Sequence, residues 1–439
     1  MKNSKNLILG GGITGLAAGM VSGLPVYESE SVPGGICSSY YLAPGGGGRQ
    51  FKSPEDGEAY RFEIGGGHWI FGGDPAVLHF IKSVVPVKSY KRKSSVYFSK
   101  QNLYVPYPIQ NHLSFLGKDI ATKAINEIIN APDGTPKTMA DWLEMSFGKT
   151  LLELFFAPFH ELYTAGLWTR IAPQDSYKSP VNLTVALQGA IDKAPPPVVG
   201  YNVTYVYPRE GLNTLAQRMA RKSDVHYEKH VARINVRKKE VLFSDGSGAK
   251  YENLVSTLPL NKALQMAGLK VDEKPASYTS VLVLNIGATR GKKCPGDHWL
   301  YIPDSDSRFH RVGFYSNVDV SFMPKSSRKE NERVSIYVEK AYQNGKKPSD
   351  KEIQRYSDSV VKELKSWGFI SKAETVDPTW IDVAYTWSMP GSKWRERAIS
   401  ELEKHGVYQI GRYGRWVFQG IAESIKDGFF IGGALGNKW

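Results

Sequence analysis

Apolar residues follow two rhythms along this chain, and the changes between them mark its organisation. Leu7, Ile8 and Leu9 form an uninterrupted apolar run, the pattern of a strand buried on both faces. A glycine-rich turn follows, then an alanine-rich stretch able to start a helix, and LPVYESE at 24–30 reads as a second strand. PGGGGRQFKSPEDG at 44–57 breaks both rhythms and predicts an exposed loop within a hairpin. From about 75 to 192 the period becomes helical, in PAVLHFIKSVV and in TMADWLEMSFGKTLLELFFAPFHELYTAG. VYFSKQNLYVPYPIQNHL at 96–113 interrupts it as a strand pair with a structured turn, and KAPPPVVG at 193–200 reads as a rigid extended connector.

Beyond residue 200 strands return. YVYPREGLNTLAQRMA runs from a strand into a helix, and residues 225–256 alternate around an Asp245-Gly246 hairpin turn before ending in the apolar LVST. SVLVLNIGA and HWLYIPD are further strands, whereas 351–369 is an amphipathic helix with Ile353, Val360, Val361, Leu364 and Trp367 on its apolar side. The segment 407–435 combines strand, loop and helix. The pattern predicts an α/β chain whose Rossmann-like dinucleotide-binding domain is assembled from 1–75, 201–270 and 396–439. A mainly helical substrate cap (76–200) and a second, mixed α/β sheet domain (271–395) are inserted into it.

The first turn carries the chemistry. Gly10-x-Gly12-x-x-Gly15 sits between strand and helix, where Gly10 permits the tight turn, Gly12 lets backbone approach a pyrophosphate and Gly15 lets helix and strand pack closely. The helix N-terminus attracts the anion through its unpaired N–H groups. Glu28, at the end of the second strand, is placed to accept both hydroxyls of an adenosine ribose.

Composition narrows the ligand. The 56 Lys and Arg against 43 Asp and Glu give a formal charge of +13, spread over short runs at 91–94, 237–239 and 325–329. None of these runs is interleaved with aromatics as a nucleic-acid groove would be, so the charge suits a small anionic substrate. Cys37 and Cys294 are the only cysteines and lack neighbours at metal spacing, which speaks against a disulfide framework and a zinc site. No apolar stretch reaches the length of a membrane span, and a cytoplasmic location is the expectation.

GGGITG, the acidic residue six positions before Gly34 in ESESVPGG, LVST and the late GR…G…G region together resemble the flavoprotein group of amine oxidases, protoporphyrinogen oxidase and phytoene desaturases. Within that group, GGGHWIFGG, VPYPIQNHL, the DWLEMSFGKTLLELFFAPFHELYTAG stretch, FHRVGFYSN and GRYGRW are similar in kind and order to segments of the UDP-galactopyranose mutases. The resemblance covers nearly the whole chain and makes the dinucleotide domain an FAD-binding one. It implies that reduced FAD, primed by NAD(P)H or a reductase, interconverts the pyranose and furanose forms of a UDP-sugar for cell-surface polysaccharide. Flavin N5 attacks the anomeric carbon in that reaction, and no net oxidation occurs.

Carried over by position, the resemblance implies that Gly10, Gly12, Gly15, Glu28, Gly34 and Gly35 bind FAD, with Val231 beside the adenine. It puts His68 at the isoalloxazine, Arg412 near flavin and substrate, Arg311 on the substrate pyrophosphate, and Tyr107 and Gln110 of PYPIQN near the same pocket. Two positions depart from the family: Lys178 replaces a second arginine, and Phe418 replaces a tyrosine whose hydroxyl contacts phosphate. The residues alone leave His68 open to a packing role in a glycine turn, Arg311 to a surface ion pair and PYPIQN to a rigid turn. They also read the LELFFAPFHELY aromatics as core, with Tyr163 and Trp168 as further pocket candidates. Because aromatics such as Tyr385 and Trp387 suit a neutral substrate, an FAD-dependent oxidoreductase of an amine or a C–C bond is the alternative, and a binding module a third.

Overall fold

A computed structural model describes residues 6–174, 181–192 and 203–435. The apolar run at 7–9 lies in the middle of a five-stranded sheet ordered Val225–His226, Val26–Tyr27, Asn6–Leu9, Asn253–Ser256, Val407–Gln409. All neighbours in it are parallel, and both faces of Leu7–Leu9 are covered, which is why the run shows no alternation. The chain therefore leaves this sheet after Val26–Tyr27 and returns to it at Val225–His226, Asn253–Ser256 and Val407–Gln409.

Helix Ile13–Ser22 covers the sheet and is itself covered by Ile421–Leu435. Glycines allow that contact. A Cβ on Gly428 would lie 2.3 Å from the Thr14 carbonyl oxygen, and one on Gly432 would lie 2.5 Å from that of Ala18.

A seven-stranded mixed sheet forms the second layer, in the order Ile370–Thr386, Tyr278–Arg290, Arg333–Gln343, Arg311–Phe314, Trp299–Tyr301, Ser94–Phe98, Leu103–Pro106. Its last two strands are the hairpin expected at 96–113, which joins this sheet through parallel pairing of Ser94–Val96 with Trp299–Tyr301. The amphipathic helix is Asp350–Ser366, started by a Ser349/Glu352 capping box. It buries Ile353, Tyr356, Val360 and Leu364. The 44–57 loop joins Ser39–Leu42 to its antiparallel partner Tyr60–Glu63. No helix among the described residues is long and apolar enough to cross a membrane.

The layers meet in an aromatic core that includes Tyr40, Phe62, Trp69, Tyr207 and Tyr337. Glu63 is buried there and accepts hydrogen bonds from the Ser39 hydroxyl at 2.7 Å and from the Tyr207 hydroxyl. Burial pushes its pKa from 4.5 up to about 7. Between those values the unfolded chain releases the proton while the native state keeps it, so stability falls as pH rises through that window. Glu63→Gln has no proton to lose. Its melting temperature relative to wild type is expected to improve between about pH 5 and about pH 8, checked by thermal melts at both.

Candidate active site

Between the two sheets lies a cavity of about 520 Å³. One end is the glycine turn. Gly10 has φ +97° and a Cβ there would fall 2.1 Å from Thr257 Oγ1, while a Cβ on Gly15 would fall 1.9 Å from the Gly10 carbonyl oxygen. Gly12 differs: it has φ −67°, and a Cβ on it would meet nothing within 4 Å. It caps helix Ile13–Ser22 without any side-chain cap or first-turn acid.

Glu28 closes this end from the Val26–Tyr27 strand. It is 5% exposed, and its carboxylate accepts the Gly11 N–H at 2.5 Å and the Glu30 N–H at 2.9 Å. Gly34 donates its N–H to the Gly11 carbonyl at 2.8 Å, and both Gly34 and Gly35 line the cavity. Val231 does not: it sits outside the described lining, partly buried against the core that includes Phe243. Its three-stranded sheet reaches this end through Lys229, whose N–H bonds the Glu28 carbonyl at 2.8 Å.

The floor of the other end is a face of the seven-stranded sheet. Register puts Tyr301, Arg311 and Glu339 side by side in one row, and Trp299, Gly313 and Tyr337 in the next. Arg311 Nη1 lies 3.4 Å from Glu339 Oε2, and His310 Nε2 is 3.4 Å from the same oxygen. Burial opposes ionisation of Glu339, but Arg311 and His310 outweigh it and hold the carboxyl below its ordinary range. Arg311 is likewise held as a cation, because Glu339 and the surrounding tyrosines overcome its desolvation.

The 65–68 glycine loop lies against this floor. A Cβ on Gly67 would fall 2.1 Å from Tyr337 Oη, and one on Gly65 would fall 2.5 Å from the His68 ring. His68 lines the cavity, and burial together with Arg412 pushes its pKa down to about 4, so it is neutral near pH 7. Its Nδ1 has no hydrogen-bond partner among the described residues. Arg412 donates to the Gln419 and Ala384 carbonyls at 3.0 and 3.1 Å. Its guanidinium packs 4.5 Å from the Phe418 ring centroid.

Tyr107 lines the cavity and packs against Tyr301 with centroids 4.4 Å apart and the rings tilted at 41°, under the Arg92 guanidinium. Gln110, three residues on, is fully buried in a short turn outside the described lining. Its side-chain amide is buried, and neither Oε1 nor Nε2 has a hydrogen-bond partner among the described residues. Lys178 lies outside the described residues.

The aromatic run is core, as the sequence reads it, and Phe155, Phe156 and Phe159 also line the cavity together with Tyr163. Gly148 breaks the preceding helix at φ +75°, and Leu152–Phe156 winds as a π-helix, a local over-turning often found at functional sites. Tyr385 and Trp387 face Tyr163 at 4.9 and 5.6 Å. His160 bonds the Phe156 carbonyl through Nδ1 at 2.7 Å, so that nitrogen carries the proton and Nε2 is an acceptor. Trp168 is outside the described lining and donates to Glu161 instead.

Glu339 and Tyr337 escaped the sequence reading. RVSIYVEKAYQ alternates as a strand whose polar side looks the same whether it faces water or a cavity, so only the partner strand identifies it.

Comparison with known proteins places the fold. In fold the chain is similar to a reduced UDP-galactopyranose mutase, with TM-score 0.80 and 20% identity over 97% of this chain and 94% of the other. It is also similar to a conjugated-linoleic-acid-producing fatty acid isomerase from P. acnes (TM-score 0.58, 14% identity, 98% of both chains). A putrescine-bound putrescine oxidase matches comparably, with TM-score 0.59 and 14% identity over 98% of both chains. The model of the flavin containing amine oxidoreductase family matches residues 23–434. The chain thus belongs to the flavin containing amine oxidoreductase family, and its cofactor is FAD.

Proposed function

We propose that the protein is a reduced-FAD-dependent mutase that interconverts the pyranose and furanose forms of a nucleoside-diphosphate sugar, with UDP-galactose the first candidate. The observation that carries this reading is Arg311, a buried-sheet arginine held by Glu339 and presented to the same cavity as the dinucleotide turn. The fold similarity to a UDP-galactopyranose mutase supports it.

The residues present fit the cofactor. Gly12 leaves open space before an uncapped helix N-terminus, as a pyrophosphate requires, and Glu28 offers a buried carboxylate to a ribose. Gly10 and Gly15 make the turn possible, Gly34 and Gly35 present backbone, and Phe418 with Arg412 walls the site. Bound and reduced, FAD supplies the nucleophilic nitrogen that a ring exchange of this kind requires.

The chain supplies position and charge. Arg311 is placed to stabilise the negative charge that grows on a diphosphate as its bond to the sugar breaks, an effect that lowers the barrier because the arginine is already oriented. Tyr107, pinned between Tyr301 and Arg92, orients the substrate without losing much freedom on binding. His68 is neutral and offers an acceptor or donor at fixed position, and acid catalysis by it near pH 7 is not required.

The test is anaerobic incubation of dithionite-reduced protein with UDP-galactofuranose, UDP-galactopyranose and other nucleotide sugars, with chromatography of ring-size isomers and an oxidised control. Isomerisation only in the reduced state is expected. A second reading, oxidation of an amine or a C–C bond, is favoured by the aromatic wall of Tyr163, Tyr385 and Trp387. Flavin bleaching by such a substrate, with no isomer formed, would establish that reading instead.

A further inference from the structure

We propose that Glu339 is a positioning residue that balances the charge of Arg311 where the substrate's diphosphate binds; this rests on the nucleotide-sugar reading above. Glu339 and Arg311 are direct cross-strand partners, and Glu339 is 4% exposed with both side chains on the cavity floor. Among the described lining residues the carboxylates are Glu28 and Glu339, and Glu28 is committed to the glycine turn. The lining cations are Arg311 and Arg412, and Arg412 spends its two terminal nitrogens on backbone carbonyls. Arg311 is therefore the cation available to an anionic ligand, and a carboxylate sits 3.4 Å from its Nη1.

That arrangement has two effects of opposite sign. The contact fixes the guanidinium on the sheet face, which favours one geometry for the incoming phosphate. It also weakens the net attraction, because the diphosphate meets a cation whose charge is already offset. A ring exchange needs both, since the nucleotide must be held while the sugar opens and must then leave. A bare arginine would bind the nucleotide product more tightly and release it more slowly.

The experiment is nucleotide titration of the purified holoprotein with UDP, by calorimetry, together with steady-state turnover. Glu339→Gln keeps the size and removes the charge. UDP is expected to bind it about threefold tighter or more, with a steeper loss of affinity on adding salt. KM and kcat are expected to fall together. Glu339→Asp, which withdraws the carboxylate by one methylene, is expected to tighten UDP by a smaller factor and serves if the glutamine variant does not fold. UDP affinity unchanged or weakened in a folded variant overturns the assignment, because a merely structural glutamate would loosen Arg311 and weaken binding. Absence of UDP binding to the wild type overturns the nucleotide-sugar reading, and this assignment falls with it.

Discussion

Gly12→Asp is expected to give a protein that folds and melts like the wild type but is colourless as purified. The backbone of Gly12 has φ −67°, open to any residue, and a Cβ there meets nothing within 4 Å. Aspartate is moreover a favoured helix N-cap, so the change does not weaken helix Ile13–Ser22. The same carboxylate occupies the amides that a pyrophosphate needs and repels it. Loss of those charged hydrogen bonds corresponds to ~3 kcal/mol, or about a hundredfold in FAD affinity. Reconstitution with added FAD, followed by absorbance, measures it. Gly15→Ala is the contrast, since its Cβ would lie 1.9 Å from the Gly10 carbonyl oxygen and the turn itself must distort. Wild-type FAD affinity in Gly12→Asp would remove this turn from the cofactor site.

Arg311→Ala is expected to weaken UDP-sugar binding by ~10- to 100-fold while FAD content stays unchanged, the range expected for a charge-assisted contact. Turnover by the reduced enzyme should fall at least as far, because the arginine acts on charge that develops during bond breaking. The substitution also strands Glu339, buried with His310 as its remaining neighbour in the pair of contacts. The single variant should therefore melt lower than wild type, and adding Glu339→Gln should restore part of the loss. Full affinity for UDP-sugar in Arg311→Ala would leave the floor of the cavity without its proposed role.

What the sequence disclosed depended on how local the cause was. The 7–15 strand and turn were legible because their spacing is local: Gly10 turns the chain at φ +97° and Gly15 packs against the Gly10 carbonyl. Arg311 was legible only through the resemblance carried by FHRVGFYSN, because the residues alone leave it open to a surface ion pair. Glu339 was not, because its meaning comes from Arg311 across the sheet. The hairpin at 94–106 could be read as a hairpin, but its parallel pairing with Trp299–Tyr301 joins segments about two hundred residues apart and leaves no local trace. The aromatic run reads as core, and core it is, but its share in the cavity leaves no mark in the sequence. A π turn after Gly148 changes the helical spacing, so residues counted onto one face reach both core and cavity.

The contact between helices Ile13–Ser22 and Ile421–Leu435 bears on how the protein is made. The helix that would face the pyrophosphate is synthesised about four hundred residues before the surface that covers it, which appears only with Gly428 and Gly432. The parallel sheet beneath is likewise incomplete until Val407–Gln409 has emerged and docked beside Asn253–Ser256. Contacts of such sequence separation form slowly and late. Cofactor loading therefore follows synthesis of residues 407–435, and a nascent chain stalled before residue 407 holds the glycine motif without a pocket to put it in.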